Sequence, residues 1–152
     1  MPEFERDLLL RQIRQLAQMV ARIAFKARAE GRYESGLEQV RATLEGGLDL
    51  DYAMLRRIDA ASVGLMVRDG EALRTLAWFA EVEGGLLEAA GDREAAASLR
   101  RRAIALYAEC ANRFAGEEAA CREAARALAD AAILPALAEE HRRWLEIPPA
   151  TP

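Results

Sequence analysis

An all-α fold is what composition, periodicity and punctuation jointly predict for this chain. Ala, Leu, Glu and Arg dominate its 152 residues, while Val, Ile, Thr and aromatic residues are sparse. That balance favours helix over strand nearly everywhere. Leu9, Ile13, Leu16, Val20, Ile23 and Ala27 recur with alternating gaps of four and three, which lays one apolar stripe along a helix. Gly31 and Gly91 fall where such stripes end, and each is followed by a fresh helical period. The expected architecture is a set of antiparallel helical hairpins, about five to seven helices joined by short connections. They form one domain over residues 1–146, a length that buries a core without disulfide or metal staples.

The elements follow in order. Pro2 suits the start of a first helix over residues 3–30, and Lys26 and Arg28 place positive charge in its last turn, where the helix dipole favours it. Gly31 supplies the left-handed stop. A second helix over residues 33–46 presents Tyr33, Gly36, Leu37, Val40 and Leu44, closed by Gly46 and Gly47. Gly36 inside it marks the close approach of another backbone, because a helical glycine costs roughly 1 kcal/mol relative to Ala. Residues 48–70 break the pattern: Asp51 can cap a short helix over 52–58, Ser62 another over 63–68, and Asp69-Gly70 closes the unit. From Glu71 the stripe of Leu73, Leu76, Ala80, Leu87 and Ala90 runs to Gly91, and Asp92 caps a partner helix bearing Ala96, Leu99, Ala103, Leu106, Tyr107 and Cys110. After a break at residues 112–116, a last long helix carries Cys121, Ala125, Leu128 and Ala132. Pro135 interrupts it before a final turn or two over residues 137–145. The tail IPPATP, residues 147–152, is expected to be disordered.

Charge and cysteine usage exclude several classes. A formal charge of -4 argues against a general nucleic-acid binder. The start MPEFERDLLLRQ lacks the basic-then-apolar layout of a secretory signal, and no stretch reaches the roughly 18 charge-free apolar residues a membrane span needs. With two cysteines only, Cys110 and Cys121, a reduced cytoplasmic setting is expected.

The run AEGRYESGLEQVRATL resembles the turn and second helix of a tetratricopeptide (TPR) repeat. Gly31, Tyr33, Gly36, Val40 and Thr43 stand in the places of its pattern, with Ala24 at the small position of the first helix. A second, partial copy lies at EGGLLEAAGDREAAASLRRRAIALY, where Gly84, Gly91, Ala96 and Ala103 take the small positions. There Arg93 replaces the aromatic, and Glu83 and Arg100 occupy places usually filled by apolar groups. The turn glycines lie sixty positions apart rather than about 34, so the chain resembles a degenerate TPR-like array with an insert. The layout is also similar to a family of uncharacterised bacterial TPR-like proteins. The resemblance implies a groove lined by the leading helices of the hairpins. Its inner positions correspond to Gln18, Arg22, Phe25 and Arg28 at one end and Trp78, Glu81 and Glu88 at the other. Residues 1–32 carry seven basic and four acidic groups against two and six in residues 71–94, so the groove is expected to be electrically divided. Simple core packing is the other reading of Phe25 and Trp78, but Trp78 beside Phe79 cannot bury both rings on one face, so one of these two rings is expected to be partly exposed and suited to holding a peptide.

The chemistry-bearing residues do not converge. His141 is the only histidine and is read as a solvated surface group. Cys110 and Cys121 lack two further metal ligands and read as small buried hydrophobes, with disulfide or redox use the alternative. Glu81, Glu83 and Glu88 read as an exposed acidic face, since di-metal bundles need histidine pairs this chain lacks. Arg100, Arg101 and Arg102 point in different directions from one helix, so with Arg56 and Arg57 they make at most a local anion patch. No phosphate loop or GxSxG motif occurs. The expectation is a non-enzymatic protein-protein interaction module with no cofactor, no metal and no catalytic residue, binding a protein or peptide partner. The alternatives are a self-associating homodimer, because the array leaves apolar end faces, and a small-ligand carrier or enzyme.

Overall fold

Glycine at position 31 sets the first hairpin. The computed structural model describes residues 3–48 and 51–146, with side chains from residue 6 onward, and the expected tail lies outside them. Helix α1 (Glu3–Glu30) ends at Gly31, whose φ of +67° is left-handed backbone open to a residue without Cβ. The Arg32 amide then donates to the Ala27 carbonyl at 2.9 Å, closing the helix end as a Schellman motif. Helix α2 (Tyr33–Gly47) folds back along α1. A Cβ on Gly36 would fall on that of Ala27, so the missing side chain is what lets the two helices close.

The segment after α2 holds two short helices, α3 (Tyr52–Arg57) and α4 (Ala60–Met66). Asp51 caps α3 as expected, accepting from the Met54 amide at 3.1 Å. Ser62 does not cap α4. It lies inside that helix, and Asp59 is the cap because its carboxylate accepts from both the amide and the hydroxyl of Ser62. Asp69-Gly70 likewise does not end the unit. Asp69 accepts from the Ala72 amide at 2.9 Å and opens α5 (Gly70–Ala89). At its far end Gly91 (φ +94°) repeats the first turn, with the Asp92 amide donating to the Leu87 carbonyl at 3.0 Å. Asp92 caps α6 (Arg93–Arg113), accepting from the Ala95 amide at 3.2 Å.

A 3-10 turn at Ala115–Glu117 leads into α7 (Glu118–Leu128). This helix stops four residues short of Ala132, because the Asp130 carboxylate accepts from the Ala132 and Ile133 amides, each at 3.0 Å, and ties a turn there. Pro135 lies in a second 3-10 turn, Leu134–Ala136. The closing helix α8 (Glu139–Glu146) is fastened to α7 by Arg126 Nε donating to the Leu145 carbonyl at 2.8 Å. Eight α-helices and no strand thus form among the described residues. The count is one above the expected five to seven because the final turns, expected over residues 137–145 beyond Pro135, form a helix of their own.

Helices α1 and α5 run parallel and side by side. Arg14 pairs with Glu71, and a Cβ on Gly85 would meet the Arg28 guanidinium, so the same separation of 57 residues holds at both levels. Helices α2 and α6 pack behind them, and α3 and α4 bridge the two: Arg56 of α3 reaches Glu45 of α2, while Gly64 of α4 admits the Glu109 and Arg113 side chains of α6. One hydrophobic cluster runs from Leu9 through Val40, Phe79 and Ile104 to Leu145. Each such fully buried large side chain stabilises the fold by about 1.5–3 kcal/mol. Leu8 and Met19 remain exposed on α1. No described helix is long and apolar enough to cross a membrane.

Candidate functional site

Helix α5 has two working faces. One carries Leu76, Ala80 and Glu83 toward the α3–α4 bridge, and the opposite one carries Glu71, Arg74, Thr75 and Trp78 into an open cleft. The cleft, about 480 Å³, is walled by Arg14, Ala17 and Gln18 of α1 and by Ala120 and Ala124 of α7, with Tyr107 of α6 at its base. Spacings of four residues, Arg14 to Gln18 and Ala120 to Ala124, put each wall's side chains one above the other on a helix. Small residues on α7 keep that wall low.

Trp78 is half-buried in this lining while Phe79 behind it is wholly buried, so the pair divides as its adjacency demands. Phe79 meets Tyr52 edge-to-face at 6.4 Å on the core side. The rim is pinned by ion pairs. Arg14 donates twice to Glu71, at 2.6 and 3.3 Å, and Arg74 Nε stands 2.8 Å from Glu117 Oε2 in an ion pair without hydrogen-bond geometry. The Thr75 hydroxyl is committed to the Glu71 carbonyl at 2.8 Å.

The remaining groove positions distribute as follows. Gln18 lines the cleft. Arg22 and Phe25 lie above it on the outer stripe of α1, and Phe25, 78 % exposed, is no part of the core. Arg28 stands beside Gly85 and close enough to Glu81 to act on its ionisation. Glu81 is half-buried and accepts from the Tyr107 hydroxyl at 2.9 Å. Burial raises its carboxyl above the ordinary range, against the lowering by that hydroxyl and by Arg28. Tyr107 is held protonated by burial and by the charge and hydrogen bond of Glu81. Glu88 is exposed and paired with Arg100, which also lies 3.6 Å from Asp130. Basic and acidic groups therefore oppose each other from α1 to α5, helix against helix.

The expected acidic face is corrected at Glu83. This carboxylate is 1 % exposed and is bonded by Arg56, which lies over the Tyr52 ring at 4.7 Å and donates to Glu45 at 2.7 Å. The residue falls on the stripe of Leu76, Ala80 and Leu87, and that position was the signal of its burial. A cavity of about 120 Å³ adjoins it under the bridge. Arg102 is spent on the Leu55 and Ile58 carbonyls at the end of α3, so three of the five arginines expected in an anion patch, Arg56, Arg100 and Arg102, are held by carboxylates and carbonyls. The His141 side chain is 21 % exposed and partly buried rather than solvated.

Cys110 of α6 and Cys121 of α7 are both fully buried and face each other across the helix seam. The Cys110 thiol is pushed up by its hydrogen bond with Cys121 and then by burial, and it lies 3.3 Å from the Gly70 carbonyl. No group of three or more His, Cys, Asp or Glu among the described residues could hold a metal ion. What the cleft offers is an apolar floor with an aromatic face, flanked by paired charge. Comparison with protein-family models, with curated proteins and with solved structures finds no match to this chain.

Proposed function

We propose that this chain is a non-enzymatic interaction module of TPR-like type, which receives a peptide or helical segment of a protein partner in the cleft between α1, α5 and α7. The observation that carries the reading is Trp78, half-buried at the floor of a cleft of about 480 Å³ whose walls, Gln18 apart, are small or paired side chains. A recessed indole with alanines opposite gives a partner's apolar side chain a desolvated seat, the setting in which interface aromatics carry most of the binding free energy. The ion pairs Arg14–Glu71 and Arg74–Glu117 hold the rim in place before binding, so little ordering cost falls on the module itself.

Peptides selected by display on the native protein test this. Trp78→Ala should weaken the selected peptides at least about thirtyfold, as loss of a hot-spot aromatic does. Trp78→Phe, which keeps a ring on the floor, should retain most of the affinity. Unchanged binding by a folded Trp78→Ala, Arg22→Glu double variant would remove this cleft as the site.

A further inference from the structure

We infer that the segment this cleft receives is acidic, with one large apolar residue for the Trp78 floor, a second beside Phe25, and carboxylates toward Arg22 and Arg28; this rests on the reading above. Three observations point there. Residues 8–29 hold five basic side chains, Arg11, Arg14, Arg22, Lys26 and Arg28, and not one Asp or Glu. Glu71, the acid in the cleft's lining, is by contrast engaged by Arg14, and the acids nearby on α5 and the following turn are engaged too: Glu117 by Arg74, Glu88 by Arg100, and Glu81 by the Tyr107 hydroxyl. Among the described residues Arg22 and Lys26 have no ion-pair partner, while the α7 wall carries one such acid, Glu123, next to Ala124. The charge left over around the opening is therefore positive and sits on α1.

Phe25 supplies the second contact. It is 78 % exposed and lies three residues from both Arg22 and Arg28, so one helix face presents an aromatic ring between two guanidinium groups. From Gln18 at the cleft wall to Arg28 the helix rises about 15 Å, a span of two to three helical turns in a bound segment. The charged side chains of residues 8–29 are all basic in a chain whose overall charge is -4, so the rest of the molecule is net acidic and this wall would orient the segment as well as attract it. An anionic membrane surface would meet the same arginines, but a flat surface cannot reach an indole recessed between three helices.

The test uses the full chain and two synthetic peptides of about 14 residues, roughly 20 Å as helices. Both carry the same leucine pattern, one with Glu and the other with Lys at the polar positions, and binding is read by fluorescence anisotropy. The Glu peptide should bind about tenfold or more tighter, and its advantage should fade between about 30 and 300 mM salt as exposed charges are screened. Arg22→Glu with Arg28→Glu should reverse the order. Phe25→Ala should weaken the Glu peptide severalfold without moving the melting temperature, since the ring lies outside the core. Equal binding of both peptides, or preference for the Lys peptide, overturns the acidic assignment while leaving the cleft reading in place. Failure of both peptides, with peptides from display also failing, overturns the two together. Vesicles containing about one-third phosphatidylserine that bind through Arg22 and Phe25, with no peptide preference, would overturn it in favour of a membrane surface.

Discussion

Glu83 shows how one side chain ties the outer layer to the core. Its carboxylate is buried against Arg56, whose own side chain is 26 % exposed, and the pair joins α5 to α3 and, through Glu45, to α2. Glu83→Ala leaves Arg56 half-buried without this partner and should cost about 2–3 kcal/mol, below the full cost of a wholly buried pair because solvent still reaches the guanidinium. Chemical denaturation with an unchanged slope would measure it. Burial raises the Glu83 carboxyl above its ordinary 4.5, with Arg56 opposing the shift, so the folded chain binds more protons there than the unfolded one. Its contribution to stability is then fully present below pH 4.5 and declines as pH rises through the elevated value. Glu83→Gln should remove that part of the pH profile. The residue-scale reading of the sequence succeeded where a position was set by its local pattern and failed where tertiary pairing intervened. Trp78 and Phe79 divide as their adjacency requires. Glu83 and His141 are more buried than their polarity suggests: an arginine from another helix covers the first, and the second lies on α8, which packs against both α6 and α7.

Each helix end has an identifiable cause in the elements around it. Gly31 and Gly91 take positive φ and close matching Schellman turns, and both turns were legible because left-handed backbone leaves glycine as the ready choice. The caps at Asp51 and Asp92 were legible for the same local reason. Ser62 and Asp69 were misplaced because several cap-forming residues crowd residues 59–70, and spacing alone does not say which carboxylate reaches which amide. The end of α7 was missed because Asp130 can serve an alanine-rich helix equally well as a solvated side chain. Close helix packing gives the sharpest prediction at this scale. Gly36→Ala places a Cβ on that of Ala27, and neither can rotate away, so α2 must lift from α1 at a cost of about 1–3 kcal/mol. Gly46→Ala, with nothing within 4 Å of the added methyl, is the matched control and should be neutral to stabilising. Equal melting temperatures for the two variants would contradict the crossing.

Across the whole molecule, two hairpins lie with their leading helices parallel, a bridge of short helices closes one side, and the other side stays open as a cleft. The hairpins were legible from periodicity, but the cleft's third wall was not. Helix α7 contributes alanines whose role depends on where the turn at Phe114–Glu117 directs the chain, a tertiary outcome without a local signature. The charge asymmetry of residues 1–32 and 71–94 was legible. That it faces across adjacent helices followed only from the 57-residue register of Arg14 with Glu71. If the open side is where a partner sits, occupancy must be felt there first. Titration of isotope-labelled protein with a bound peptide, followed by amide and indole NMR shifts, is the most direct measurement. The expected result is early movement of the Trp78 indole and of Ala17, Gln18, Thr75, Ala120 and Ala124, with the bridge at Tyr52–Met66 unmoved. Shifts concentrated in that bridge or on α2, with the Trp78 indole still, would contradict it.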